Sequence, residues 1–395
     1  MEELLIKSQQ KISQVSIDHK RYLHPAINRK ASMIAIKGAR GVGKTTLLLQ
    51  LGKERSADEV LYVALDDLFF SDNTLHSLAD AFNKLGGGLL LIDEVHKYPN
   101  WSRELKLIYD DFPKLQVIFT SSSILEIYKG ESDLSRRAIS YTLSELSFRE
   151  YLSFREKIEL PQYTLTEIVE RHQEISAALI QQFTPFKYFS DYLKVGAYPY
   201  FDGHTDEYYQ KLLNTINLIL EVDVQIEENI DFKNIAKLKR LLYVISSNVP
   251  FTPNIYKLSE QIDLNRNALV RLLQLLSKAT LIHSLYKQNK SISSLNKPDK
   301  IWMGNTNLMY AISDKQIDKG TIRETFFLQN MPREYKLSLT DQGDFIVNNH
   351  YLFEISGKSK SKKQIQGKEN VFVVRDDIET GVFNTIPLWL FGFQY

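Results

Sequence analysis

The 395-residue chain carries 49 Lys and Arg against 48 Asp and Glu, a net charge of +1, with 43% hydrophobic and 25% charged residues. That is the make-up of a folded protein of two or three domains, and the lack of cysteine excludes disulfides and any cysteine-ligated zinc or iron–sulfur centre. No apolar run reaches the ~18 residues of a membrane helix, and the opening MEELLIKSQQKIS lacks the basic start and apolar stretch of a signal peptide. The expected setting is the cytoplasm, with no membrane partner.

The first strong signal is SMIAIKGARGVGKTTLLLQL, residues 32–51. It predicts a buried strand over Met33–Ile36, a glycine-rich turn and a leucine-rich helix. Gly38, Ala39, Arg40, Gly41, Val42, Gly43, Lys44 and Thr45 fit GxxxxGK[ST], the phosphate-cradling P-loop. The glycines admit positive φ, so that backbone N–H groups can close around phosphate oxygens, and the following helix aims its positive dipole end at the same anion. Residues Gly38 to Thr46 are therefore the expected nucleotide contacts. Lys44 would reach the β- and γ-phosphates, and the Thr45 hydroxyl would ligate Mg²⁺.

Val60–Leu65 reads as a second buried strand, followed by a helix through Leu85. The run Leu89–Ile92 is too short for a helix and ends in Asp93 and Glu94, which puts two carboxylates at the strand edge where nucleotides bind. Asp93 is the expected Mg²⁺ partner and Glu94 the group that polarises water. His96 fits a local hydrogen-bonding role better than a metal ligand. A fourth strand, Leu115–Phe119, ends in Thr120 and Ser121–Ser123, which either sense the γ-phosphate or cap a helix over Ile124–Tyr128. Arg136 and Arg137 precede a fifth strand, Ala138–Leu143. They read either as cations for the transferred phosphoryl group or as a solvated basic turn.

GARGVGKTTLLLQ, LLLIDEVHKYPNWSRELK, FTSSS and DLSRRAISYTLSELSFREYL together resemble the AAA-type ATPase family of bacteria and archaea, whose members carry a C-terminal domain of unknown function. The likeness continues through YLKVGAYPYF and ILEVDV to PLWLFGFQY. It implies ATP or ADP as nucleotide, Thr120 or Ser121 as sensor, and Arg136 and Arg137 as an arginine finger acting on a neighbouring subunit. A homo-oligomer is implied with it.

Glu174–Phe183 is expected to open a helical stretch. Residues 233–290 contain ten Lys or Arg and two acids, whereas Glu207–Asp231 holds six acids and one lysine. Within the basic region the order is helix (Leu238–Ser246), helix (Lys257–Ile262), turn, helix (Arg266–Ala279) and strand (Thr280–Tyr286), the order of a winged helix-turn-helix. Asn265, Arg266, Asn267 and Arg271 would lie where base-reading residues sit, and duplex DNA could bind through residues 257–290. A lid that never touches DNA, or pairing with the acidic stretch, is the alternative.

A helix over Thr321–Met331 and strands near Tyr335–Leu339, Gly343–Val347 and His350–Ile355 resemble the PD-(D/E)XK nuclease core. Glu324, Asp344 and Glu354 occupy the acidic places, but Ser356 stands where that fold keeps its lysine. A degenerate domain is expected, with Lys358, Lys360, Lys362 and Lys363 either on a phosphate backbone or in a solvated loop.

The expected fold is α/β throughout: a P-loop parallel sheet over residues 1–150, a helical and winged-helix module over 151–295, and a nuclease-like α/β domain over 296–395. The expected function is an Mg²⁺-dependent ATPase whose nucleotide state repositions the downstream modules. The alternatives are a low-turnover switch acting through protein partners and an ATP-gated nuclease.

Overall fold

The computed structural model describes residues 1–121, 134, 136–223, 232–288, 297–313, 316–357 and 370–395. Two units form, Met1–Glu145 and Leu146–Tyr395.

In the first unit, four short apolar runs and a more polar edge strand become one parallel sheet: β1 (Met33–Lys37), β2 (Val60–Ala64), β3 (Leu89–Asp93), β4 (Gln116–Thr120) and β5 (Ile139–Thr142). Their order is β2-β3-β4-β1-β5, with Ile34 level with both Ile118 and Ile139. The near-continuous hydrophobicity of β1 and β3 follows from burial on both faces, since every residue of each is buried. Helices Lys44–Gly52, Leu75–Lys84 and Trp101–Asp111 supply the crossovers. Because the strands are parallel, all their carboxyl ends emerge at one edge. Sequence reading passed over the helix Glu2–Gln14, which runs along edge strand β2; there the buried Ser8 hydroxyl accepts the Tyr62 N–H at 2.8 Å. That contact blunts a strand edge that would otherwise invite pairing.

The second unit opens with the short helical turns Phe148–Tyr151 and Leu152–Glu156, followed by helices Leu165–Ile180, Pro185–Val195 and Thr205–Leu218. Helix Leu165–Ile180 begins well before the expected Glu174, because Thr164 and Glu167 form a reciprocal capping box. Next come helices Phe232–Ser246, Ile255–Gln261 and Arg266–Lys278, then β6 (Ile282–Leu285) antiparallel to β7 (Lys300–Met303). Leu269, Leu272, Leu273 and Leu276 form the buried stripe of the third helix. The short helix Thr306–Ile312 carries Asn307, fully buried. Its amide accepts from Ala197 N and Tyr208 Oη and donates to the carbonyls of Tyr192 and Leu193, so every bond that buried amide needs is made.

A mixed sheet of β8 (Leu337–Leu339), β9 (Phe345–Val347), β10 (Tyr351–Ser356), β11 (Val371–Arg375) and β12 (Thr385–Pro387) completes the unit, in the order β12-β11-β10-β9-β8. β8 to β10 pair antiparallel and β10 to β12 parallel. One aromatic-rich core runs through the unit from Phe148 to Phe393. Within it Phe189 and Phe326 meet edge to face at 4.8 Å, a geometry worth about 0.5–1.5 kcal/mol beyond burial. Ser147 caps the turn that begins this core, and its hydroxyl also donates to the Tyr395 carbonyl at 2.5 Å. Among the described residues no helix is long and apolar enough to cross a membrane.

His283 on β6 gives this unit a pH signature. Its Nε2 bonds to the Gly304 carbonyl at 2.9 Å, and burial, assisted by Arg333, pushes the imidazole down to about 4. The unfolded chain, titrating near 6.5, binds the proton more readily, so stability is whole above pH 6.5 and falls as pH drops toward 4. The loss amounts to about 3 kcal/mol at 1.36 kcal/mol per unit. Thermal melts from pH 7.5 to 4 should show this fall, and His283→Gln should flatten it; an unchanged slope would remove His283 as its source.

Candidate functional site

The P-loop joins β1 to the helix Lys44–Gly52 at the carboxyl edge of the sheet. Gly41 (φ 82°) and Gly43 (φ 97°) adopt left-handed backbone that L side chains disfavour. At Gly38 a Cβ would stand 2.4 Å from the Leu143 carbonyl oxygen, so only glycine lets the loop start against the end of β5. Lys44 is buried, with its ammonium donating to the carbonyls of Gly38 at 2.9 Å and Ala39 at 2.7 Å. Gly41, Thr45 and Thr46 are exposed, and Ala39 and Val42 are buried.

Asp93, at the end of β3, is buried and gathers hydroxyls from three elements. Thr45 donates to Oδ2 at 2.6 Å, Tyr62 on β2 donates to Oδ2 at 3.1 Å, and Thr120 at the tip of β4 donates to Oδ1. The Glu94 N–H adds a fourth bond to Oδ1 at 3.2 Å. Strand order explains the convergence: β4 lies between β1 and β3, so its polar tip falls between the loop and the acids. Burial together with the Asp93 charge pushes the Tyr62 phenol far up, keeping it a proton donor.

Glu94 has left-handed backbone (φ 55°), uncommon for a residue with a side chain, and its carboxylate is 15% exposed. Oε2 faces Lys97 Nζ at 3.4 Å, His96 Nε2 at 3.6 Å and Arg40 Nη1 at 3.9 Å. Burial raises its pKa, and Arg40 and Lys97 pull the other way. Ser121 Oγ meets His96 Nδ1 at 2.8 Å, both groups buried, which makes His96 the local hydrogen-bonding residue expected of it. Burial, with Arg40, Lys97 and Lys44 nearby, depresses the imidazole to about 3, so it is neutral at physiological pH.

The hard-oxygen set of Thr45 and Asp93 suits Mg²⁺, which in phosphate-binding sites takes one or two protein carboxylates and completes its shell with phosphate and water. Among the described residues no group of three His, Asp or Glu is placed to hold a metal by protein ligands alone.

The arginines lie elsewhere. Both precede β5, whose Ile139 is level with Ile34 near the start of β1, so they occupy the edge opposite Lys44. Arg137 makes a bidentate pair with Asp110 at 3.0 and 3.1 Å, whereas Arg136 is exposed. Ser122, Ser123 and the expected helix over Ile124–Tyr128 fall outside the described residues, as do Lys358, Lys360, Lys362 and Lys363.

Sequence reading missed Tyr62, Lys97 and Arg21. Arg21 donates to the carbonyls of Val42 in the P-loop, Ser144 at 2.7 Å and Glu145 at 3.1 Å. The one available hint for Tyr62 was a phenol within the otherwise aliphatic VLYVAL; Arg21 carried none.

In the second unit, Asn265 is used as a helix cap, its Oδ1 accepting from Ala268 N at 2.8 Å. Arg266 lies over the Tyr256 ring at 4.8 Å, and Asn267 and Arg271 are exposed. The C-terminal acids are engaged in structural bonds: Glu324 accepts from the Trp302 indole at 2.9 Å, and Asp344 accepts from Ile355 N at 2.7 Å. Glu354 is half-buried on β10. Ser356 ends that strand, buried, its hydroxyl lacking a hydrogen bond among the described residues.

The sheet, the glycine loop and the acidic strand end fit a P-loop NTPase fold, and residues 30–152 match the family model of an AAA domain. Residues 186–318 match a domain of unknown function, DUF8612. An uncharacterized protein of Methanocaldococcus jannaschii is 25% identical over 379 residues, spanning 87% of this chain and 80% of its own. Among solved structures, a Walker-type ATPase of Pyrococcus abyssi aligns with a TM-score of 0.44 at 11% identity, covering 78% of this chain and 94% of its own. AMPPCP-bound DnaA from Aquifex aeolicus aligns at 0.29 and 16% identity, covering 65% and 84%.

Proposed function

We propose that the first unit binds ATP with Mg²⁺ and hydrolyses it to ADP and phosphate, and that nucleotide state repositions the downstream modules. The observation that carries this reading is the meeting of Thr45 and Asp93 at 2.6 Å beside a buried Lys44, which puts a hydroxyl, a carboxylate and an ammonium at one sheet edge. The loop amides from Gly38 to Thr46 and Lys44 bind the phosphates, with the ammonium oriented by two loop carbonyls. Bound Mg²⁺ supplies charge neutralisation at the phosphates, and Thr45 and Asp93 would hold it. Glu94 takes the proton of the attacking water, and Thr120 and Ser121 stand where the γ-phosphate is read. Arg136 and Arg137, at the far edge, fit action on a neighbouring subunit's nucleotide in a homo-oligomer.

The excess of ten basic residues over two acids in 233–290, with Arg271 and Asn267 exposed, supports duplex DNA as the partner of the second unit. Steady-state ATP turnover with Mg²⁺, with EDTA and with added duplex DNA tests both parts. Turnover should vanish in EDTA and rise with DNA. Metal-independent turnover would overturn the site assignment, and indifference to DNA would return the basic region to a structural role.

A further inference from the structure

We propose that a groove between the helices Phe232–Ser246 and Ile255–Gln261 binds an unpaired nucleotide of a DNA strand, so that the second unit recognises a junction of single and double strand. The inference rests on the reading of this basic region as the part that faces DNA, and names the form of DNA it takes.

The groove holds about 700 Å³, within the ~300–1,000 Å³ of clefts that bind small ligands. Arg240 enters it from the first helix and Gln261 from the end of the second. The link between the helices supplies Asn248, Pro250, Phe251 and Thr252. That link is pinned from outside the groove. The N–H and C=O of Phe251 both bond to Ile301 on β7 at 2.8 Å, and the Thr321 hydroxyl donates to the Val249 carbonyl at 2.8 Å. Asn254 Oδ1 then caps the second helix by accepting the Lys257 N–H at 3.2 Å. The groove is therefore formed before a ligand arrives, and binding need not order the chain around it.

Its lining selects the ligand. No acidic side chain lines the groove, and Arg240 is exposed with no hydrogen bond or ion pair to another described residue. Lys237 and Lys239 on the same helix are answered by Asp263 at 3.0 Å and Glu221 at 2.7 Å. The open guanidinium thus selects an anion, and its planar fork suits phosphate oxygens. The side chains of Thr252 and Gln261 are likewise exposed and make no hydrogen bond among the described residues. A carboxamide matches the edge of a base with two hydrogen bonds. Phe251 has spent both backbone groups on Ile301, so what it offers a ligand is its ring, on which any base can stack. Tyr243, one turn from Arg240, adds a second ring that is 44% exposed. Stacked, paired bases have no free face or pairing edge, so a duplex can use the arginine alone. An unpaired nucleotide uses all three kinds of group. The ten basic residues against two acids over 233–290 favour a polyanionic strand over an acidic peptide.

Fluorescence anisotropy of the full chain tests this with a blunt duplex, the same duplex carrying a single-stranded overhang, and the overhang strand alone. The overhang duplex should bind about 10-fold tighter than the blunt one. Arg240→Ala and Gln261→Ala, both at exposed positions, should each remove most of that preference. Gln261→Ala changes no charge, so its effect is not the general attraction of cations for DNA. A preference that survives both substitutions in the folded chain would overturn the groove assignment. Displacement of the strand by polyglutamate as readily as by unlabelled DNA would do the same. Equal binding of blunt and overhang duplexes would end the groove inference and leave the duplex reading. Binding of the overhang strand alone would end the duplex reading and leave the groove, and binding of no DNA would end both.

Discussion

Lys44→Ala should abolish ATP binding, weakening it by at least about 100-fold, because charge-assisted hydrogen bonds to phosphate are worth about 1.5–3 kcal/mol each. The side chain is buried and oriented by the carbonyls of Gly38 and Ala39, so no neighbouring cation replaces it at that spot. Arg40, the nearest basic residue in the loop, faces Glu94 instead. Removing the ammonium also leaves two loop carbonyls without their donor, so the variant should melt somewhat lower. Titration with a fluorescent ATP analogue, read beside a thermal melt, separates lost binding from lost folding. A folded variant with wild-type affinity would end the assignment of this loop as the phosphate site.

Glu94→Gln is expected to behave in the opposite way, retaining nucleotide and losing hydrolysis. The substitution is isosteric and keeps a side chain at the same left-handed position, but an amide cannot take a proton from water. General bases contribute about 10²–10⁴-fold, and a fall in kcat of that order is expected at unchanged affinity. The side chain is only 15% exposed, so bulk solvent offers a poor substitute base at that point. Single-turnover phosphate release from pre-bound ATP reads the step directly. Release at the wild-type rate would take Glu94 out of the chemistry and leave Asp93 as the only acid with a role.

The first unit was legible because β1 to β4 are almost wholly buried and read as apolar runs between turn signals, whereas the edge strand β5 (ISYT) is exposed to half-buried. The loop motif placed Lys44 and Thr45, and the strand ending in Asp93 and Glu94 placed the acids. What could not be read was pairing across sequence: Tyr62 reaches Asp93, and Arg21 reaches Ser144 and Glu145, and neither leaves a local pattern. In the second unit, β7 and β12 were missed because they span four and three residues, one beginning with Lys300 and the other ending in Pro387. β11 went unread although VFVVR has strand character. Asn265, expected at the exposed start of the helix, is also its cap, accepting the Ala268 N–H through Oδ1.

Arg21 has a mechanical consequence. Its guanidinium grips Val42, at the crown of the loop, with one arm and the last two residues of the first unit, Ser144 and Glu145, with the other. The phosphate cradle and the point where the chain departs the unit are thus riveted to one rigid plane. Displacement of the crown by an anion is felt at the departure point without any intervening strand having to move. An ammonium can bridge carbonyls, as Lys44 does, but without the fixed planar fork that sets the angle between the two sides here.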